Sequence, residues 1–589
     1  MDLHGFYTGE VFDAYQHLGA HIWGGGTAFR TFAPAAGRVA LIGQFSRWQE
    51  VPMDRDGAFW SCYVEGAGAG MMYKYRIYDR QGGFVDHCDP YGFGMELRPS
   101  CASIIRDLHA YRFSDGDWMS ARTDCKNGPL NIYEVHFGSF RKPGPAADAW
   151  YSYEELIPIL IPYLKENGYN YVEVMPLTEH PCDESWGYQV TGFFSPTARY
   201  GTMDQLKAFV DACHQNGIGV LMDFVPVHFA VDGYALARYD GDALYEYPNS
   251  AVGESEWGSC NFMHSRGEVR SFLQSAANYW LSEFHFDGLR MDAVSRAIYW
   301  QGDPARGVNG GAVDFLRNMD RGLKQRHPTA ILAAEDSTSF PGVTAPADQG
   351  GLGFDYKWDM GWMNDTLDYF RTPPEHRPGA YHRLTFSMMY YYDACHLLPL
   401  SHDEVVHGKA SIFQKMAGEY GDKHRQLRAF YMYMYAHPGK KLNFMGNELA
   451  QVREWDEKRE QDWDLLAYPL HDAFHCFLKI LNHLYLDHPA LWAGDYHREG
   501  FRWLDCHQES KCVYAFERRG GGERLAAVFN FSDREQTFRL ELPGAKGLRV
   551  LLDSAAAYRE SGGGAWLPLP PEGAELRLEP YGGIYCLAQ

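Results

Sequence analysis

Between Asn131 and Leu486, short apolar runs alternate with longer segments whose apolar positions recur every three to four residues. The runs predict strands: Asn131–His136, Tyr171–Met175, Gly219–Asp223, Phe286–Met291, Ala330–Ala334, Gly353–Lys357, His396–Leu400 and Lys441–Met445. The intervening segments, such as Tyr153–Asn167, Met203–Asn216 and Val269–Phe284, predict amphipathic helices. Eight strand–helix units predict a (β/α)8 TIM-type barrel with insertions. An open doubly wound sheet is the alternative, but no glycine-rich phosphate fingerprint follows the first strand. On either side the runs are short, β-branched or aromatic, and separated by turn residues. Thr27–Phe32, Arg38–Ile42 and Met72–Tyr78 predict an N-terminal β-sandwich. Val513–Phe516, Leu525–Asn530 and Leu548–Leu552, with turns at Gly562–Gly564 and Pro568–Pro571, predict an antiparallel C-terminal domain. The expected organisation is a multidomain α/β chain: sandwich 1–106, polar linker 107–130, barrel 131–486 and all-β domain 487–589.

Composition narrows the function classes. The net charge is −22, which repels nucleic acid and anionic lipid. A neutral polymer is indifferent to that field, and the plain reading is that the charge keeps the protein in solution. Aromatic residues make up 15% of the chain; they suit the flat C–H faces of sugars, although most serve a core equally well. The 12 cysteines show no CxxC pair or zinc spacing, so free thiols and a cytoplasmic location are expected. The first ten residues lack an apolar signal core, and no run of about 18 apolar residues predicts a membrane span. No calcium loop of EF-hand spacing is present, so neither metal nor cofactor is expected.

Candidate chemistry sits where the predicted strands end, the barrel end that carries catalysis. The fourth strand ends Leu289-Arg-Met-Asp292, and alternation puts Arg290 and Asp292 on one face. A guanidinium holds the acid ionised, as a carboxylate nucleophile requires; a structural ion pair reads equally well. The fifth strand runs into Glu335, whose partial desolvation suits a proton donor, against a solvated loop acid. The seventh ends Ser401-His-Asp403, a pair for sugar hydroxyls and developing positive charge, or a helix cap. The third ends Asp223-Phe-Val-Pro-Val-His228, where Asp223 braces the barrel and His228 donates to a sugar, or serves structure alone. Two carboxylates flanking one bond are the apparatus of glycoside hydrolysis or transfer.

These four strand ends resemble the four signature regions of the α-amylase superfamily: Asp223–His228, Gly288–Asp292, Ala334–Ser337 and Leu400–Asp403. Within it, Asn131–Gly138, Ser185–Thr197, Gly350–Phe354, Leu398–Lys409, Phe444–Glu448, Gln451–Trp455 and Asp462–Trp463 resemble the bacterial 1,4-α-glucan (glycogen) branching enzymes over nearly the whole chain. The resemblance implies a retaining transglycosylase that cuts an α-1,4 chain and passes it to a 6-hydroxyl. Asp292 would be the nucleophile, Glu335 the acid/base and Asp403 the third acid. Arg290 would orient Asp292, His228 and His402 would bind the sugar, Tyr188 would stack beneath it, and Gln189 and Asp223 complete the substrate-binding set. It implies α-1,4-glucan (amylose or glycogen) as donor and acceptor, and a monomer without cofactor, nucleic acid or membrane partner.

Four features depart from the family pattern. The segment Tyr299–Gly311 is short, Val227 and Asp336 replace the usual residues, and the frequent extra N-terminal β module is missing. They leave the catalytic acids in place and bear on acceptor binding and transferred chain length. The rival readings are an α-glucan hydrolase of the same superfamily, debranching or trehalose-releasing, and a non-catalytic glucan-binding protein.

Overall fold

A computed structural model describes residues 1–555, 566–570 and 573–589. The expected turn at Gly562–Gly564, and Pro571 of the expected proline turn, lie outside the described residues; Pro568 ends a strand, Trp566–Pro568.

Eight strands form a closed barrel in chain order: β1 (Asn131–Val135), β2 (Tyr171–Val174), β3 (Gly219–Phe224), β4 (Gly288–Met291), β5 (Ile331–Ala334), β6 (Tyr356–Trp358), β7 (His396–Leu400) and β8 (Lys440–Phe444). Every residue of these strands except Lys357 is buried. That explains their continuous apolar runs, because parallel barrel strands are covered on both faces. The sixth strand starts later than expected, at Tyr356, and Gly353 before it has φ 94°, a left-handed turn conformation outside the usual strand range.

The chain divides into two compact units. One comprises Met1–Asp124, His136–Ile161 and Glu173–Phe354. It holds β3, β4 and β5 and the N-terminal sandwich. One sandwich sheet has the order Gly19–Trp23, Gly26–Phe32, Phe59–Glu65, Asp54–Asp56; the other is built around Arg38–Gly43 and Met72–Tyr78. Tyr73, Tyr75 and Ile77 alternate into the core against partly exposed neighbours, the period-two pattern of a half-buried strand. The helix Met203–Gln215 opens with a capping box in which Thr202 and Gln205 satisfy each other's amides.

The residues expected as a linker are pinned where they fall in this unit. Trp118 Nε1 donates to Asp287 Oδ1 at 2.8 Å. His214 bridges Asp115 and Asp287 at 2.7 and 2.8 Å. Asp287 Oδ2 also accepts the amide of Val220 at the base of β3, at 2.7 Å. The first thirteen residues are strapped to the helix Gly267–Glu283 by Ser271, Gln274 and Asn278, which donate to backbone carbonyls of Phe6, Gly9 and Phe12.

The other unit, Cys125–Val135, Pro162–Val172 and Asp355–Gln589, holds β1, β6, β7, β8 and the C-terminal domain. A six-stranded sheet there buries Val513, Ala515, Val528, Leu548 and Cys586 in one core. Asp495 joins this domain to the base of β8. Its oxygens meet Lys440 at 3.0 Å and Arg518 at 2.7 Å, all three side chains being buried.

Candidate active site

The backbone register sets the level of the site. Asp223 pairs with Arg290 across β3 and β4, and Arg290 pairs with Ala333 across β4 and β5. Asp292 and Glu335 each follow the last residue of their strand, so the two acids emerge at one height. The amide of Glu335 donates to Met291 O and that of Val294 to Glu335 O, each at 3.0 Å, which extends the ladder one step past the barrel.

Arg290 is the hub. Its Nη1 lies 2.8 Å from both carboxylate oxygens of Asp223 and 2.8 Å from Asp292 Oδ1. Its Nη2 lies 2.9 Å from Glu335 Oε2. One planar guanidinium therefore orients both acids, a task that a point-charge ammonium cannot perform. Tyr188 donates its hydroxyl to Asp223 Oδ2 at 2.5 Å. Asp223 is 1% exposed, and Arg290 and Tyr188 take its oxygens, so it braces the cluster from below. His228 Nε2 faces Asp292 Oδ2 at 3.8 Å, and its Nδ1 shares a 2.9 Å hydrogen bond with Ser259 Oγ. The amide of Ala293 donates to Glu335 Oε2 at 2.9 Å.

The electrostatics separate the two aspartates. Burial works against an ionised Asp292, but the facing His228 imidazole and the Arg290 charge outweigh it, with a contribution from Glu335. Its carboxyl is held below the usual aspartate range. For Asp223, deeper in the strand layer, burial wins: with the charge of Asp292 beside it, its carboxyl is pushed up to about 7 despite Arg290. Burial opposes the Arg290 charge as well, but the surrounding carboxylates overcome it and hold the guanidinium firmly protonated. The cluster thus keeps its more accessible aspartate anionic, the state in which a carboxylate attacks.

In the other unit, His402 and Asp403 follow β7. Glu134, in the middle of β1, holds His402 twice: Oε1 contacts Nδ1 at 2.5 Å and Oε2 accepts the amide at 3.0 Å. His402 Nε2 lies 3.4 Å from Asp403 Oδ1, and the Asp403 side chain is 40% exposed. Sequence reasoning missed Glu134; its only signal was a carboxylate inside an apolar strand. Gln189 is placed at the margin of the cluster, donating to Trp257 O at 3.3 Å.

Among the described residues, no group of three or more His, Cys, Asp and Glu side chains is arranged to hold a metal ion. No described helix is long and apolar enough to cross a membrane.

Three family models match parts of the chain: carbohydrate-binding module 48 (isoamylase N-terminal domain) over residues 17–92, the alpha amylase catalytic domain over 157–240, and the alpha amylase C-terminal all-beta domain over 503–583. A 1,4-alpha-glucan branching enzyme GlgB from Marinobacter nauticus is 42% identical over 95% of this chain and 92% of its own length. The enzyme of the same name from Oceanobacillus iheyensis is 43% identical, covering 90% of this chain and 87% of its own. Among solved structures, a pullulanase from Anoxybacillus sp. LM18-11 superposes with a TM-score of 0.76 at 16% identity, over 100% of this chain and 90% of its own. A pullulanase from Bacillus acidopullulyticus gives 0.74 at 18%, over 97% and 75%. At that identity these two likenesses bear on the fold alone.

Proposed function

The chain belongs to the 1,4-α-glucan branching enzymes of the α-amylase family, and from that membership we propose how its own residues carry the reaction. The enzyme cleaves an α-1,4-glucan, the class of amylose and glycogen, and transfers the segment to a 6-hydroxyl to create an α-1,6 branch. Asp292 is the nucleophile. Its carboxylate attacks the anomeric carbon, the bond from that carbon to O4 breaks, and Glu335 delivers its proton to the departing O4. The segment is then held as a glucosyl ester on Asp292. In the second half Glu335, now a carboxylate, takes the proton of an incoming 6-hydroxyl, O6 attacks the anomeric carbon, and Asp292 leaves. Two inversions restore the α configuration.

The observation that carries this reading is the shared guanidinium: Arg290 reaches Asp292 with one terminal nitrogen and Glu335 with the other, at 2.8 and 2.9 Å. Double displacement needs its two carboxyl groups close together, about 5–5.5 Å, whereas single displacement needs room for a water between them. Asp403 serves as the third acid, favouring the distorted, positively charged transition state, and Glu134 holds His402 beside it. His228 and His402 hydrogen-bond the sugar, while Tyr188 and Gln189 flank it. Asp223 acts on the sugar only through Arg290 and Tyr188. Acceptor and water compete for the same ester, so transfer wins by positioning; well-oriented groups reach effective molarities of about 10⁵ M or more.

The same proposal divides the chain into a glucan-binding module (1–106), a barrel (131–486) and a C-terminal domain (487–589), and places the enzyme in the cytoplasm as a monomer. All twelve cysteines are free thiols, which suits a reducing compartment.

Incubation with amylose tests the activity. Iodine staining falls with little gain in reducing ends, and isoamylase then releases new short chains. Steady release of reducing sugar without new branch points would assign hydrolysis instead. Asp292→Ala abolishes turnover by about 10⁴-fold or more and leaves glucan binding intact; retained activity would remove the assigned nucleophile.

A further inference from the structure

Beside the acids lies an aromatic side chain that the reaction so far does not use. Trp257 is 46% exposed, unusual for a large apolar ring that serves packing alone. Its ring centroid is 5.1 Å from that of His228, the imidazole that faces Asp292. The Arg296 guanidinium carbon lies 5.2 Å from the indole centroid. Arg296 is four residues beyond the nucleophile, on the short helix Val294–Ile298, and Glu256 and the carbonyl of Gln301 fix it. Gln301 in turn donates to the carbonyls of Ala251 and Glu254 at 3.2 and 2.9 Å, so the shortened segment Tyr299–Gly311 is tied to the segment that carries the tryptophan. An open groove of about 470 Å³, with Glu256, Arg296 and Gln301 in its lining, begins there.

These features match a sugar ring in three respects. A pyranose offers a flat C–H face, which an exposed indole covers, and a rim of hydroxyls, which side chains at the indole edge can pair. Arg296, over the indole, is paired with Glu256, and the groove beside it also carries Glu254, Asp303 and Arg306, so its acids outnumber its cations and it favours a neutral polyhydroxylated ligand over an anion. Contact with His228 places the platform one side chain away from the reacting carboxylate.

We propose that Trp257, framed by Arg296, is a stacking subsite that seats a glucosyl unit of the glucan next to the one that reacts at Asp292. The segment Tyr299–Gly311 sets the width of this subsite through Gln301, which links the departure of that loop from the family pattern to the choice of glucan chain. The inference rests on the assignment of Asp292 and His228 to the reacting centre.

The test uses Trp257→Ala and Trp257→Phe in the full chain, with amylose and maltoheptaose as probes. Trp257→Ala raises KM for both by about tenfold, the loss of one stacked ring. It shifts the length profile of the new branches, and leaves Tm and the acidic limb of kcat unchanged. Trp257→Phe keeps a flat face and restores most of the affinity. Unchanged KM together with an unchanged branch profile overturns the subsite. So does a KM increase that phenylalanine fails to relieve. A fall in kcat with a displaced acidic limb at constant KM also overturns it, because it makes Trp257 a support for His228. Asp292→Ala reports separately on the centre: if that variant stays active while Trp257→Ala weakens binding, the centre is misassigned and the glucan contact stands.

Discussion

The amide of Ala293 donates to the carboxyl of Glu335 across 2.9 Å, from a backbone held at φ 52°. An L-residue pays about 1–2 kcal/mol to sit in that left-handed region. The turn immediately after the nucleophile therefore carries strain, and the strained amide is the one aimed at the acid/base. Ala293→Gly keeps the donor without the strain, so thermal stability rises by about 0.5–1 kcal/mol with kcat little changed. Ala293→Val adds a branched side chain to the same conformation, costs about 1–3 kcal/mol, and lowers kcat on amylose because the donor moves. Equal kcat for all three chains would detach the turn from catalysis.

Asp292 and His228 set the acidic limb of activity. The Asp292 carboxyl is held below its ordinary range, so the nucleophile is ionised above that value and activity is lost as pH falls through it. His228 is the foremost influence that offsets burial there. In His228→Ala, burial prevails further, the Asp292 value rises, and the acidic limb of kcat/KM moves to higher pH. A rate profile carried well below the ordinary aspartate range decides the point; a lower plateau with an unmoved limb would confine His228 to contact with the sugar.

Glu134 acts through His402. Glu134→Ala removes both acceptors from a buried imidazole and its amide, leaves them unsatisfied, and costs about 2–4 kcal/mol. Glu134→Gln keeps an acceptor oxygen and costs less. Both lower kcat more than they raise KM, because Glu134 does not itself touch glucan but orients His402, whose contact with the sugar at the cleavage point counts most in the transition state. Denaturant unfolding with steady-state kinetics on the two variants checks the order Ala worse than Gln.

His214 makes stability depend on pH at the opposite end of the barrel. Burial disfavours its charge, but Asp115 and Asp287 at 2.7 and 2.8 Å overcome that and raise its value above that of a free histidine. A raised folded value means that the protein binds the proton more tightly than the unfolded chain does. The stabilisation is complete below the unfolded value and fades as pH rises through the folded one. Tm therefore falls as pH rises above the ordinary histidine range. His214→Ala flattens that fall and removes one buried donor from each carboxylate, Asp115 keeping His285 and Asp287 keeping Trp118 and the Val220 amide, at a cost of about 1–3 kcal/mol. An unchanged slope would exclude this histidine as its source.

Much of the site was legible because each acid follows an abrupt change of pattern. Glu335 comes straight after the apolar Ile331–Ala334, and Asp292 ends a strand in which Arg290 alternates onto its own face. A polar group at the end of a buried strand has to be explained, and the barrel rule says where it points. Glu134 shows the limit. Within Asn131–Val135 it is one charged position in a five-residue strand, and its partner His402 is 268 residues away. Asp223 was legible as a site residue, but its contacts were not: only packing turned both oxygens towards Arg290 and Tyr188. The polar stretch after Asp107 read as a spacer for the same reason, because Asp115 and Trp118 find their partners at His214 and Asp287.

Period and composition by themselves determined the kinds of element, their order and the positions at which polar chemistry breaks out of apolar strands, because those depend on neighbours a few residues apart. Which carboxylate stays ionised, which one braces, and which guanidinium and imidazole hold them was decided only by tertiary structure. Arg290 and Asp292 share one local stretch, but Asp223, His228 and Glu335 come from other strand ends, so those properties depend on burial and on charges that only strand register brings together.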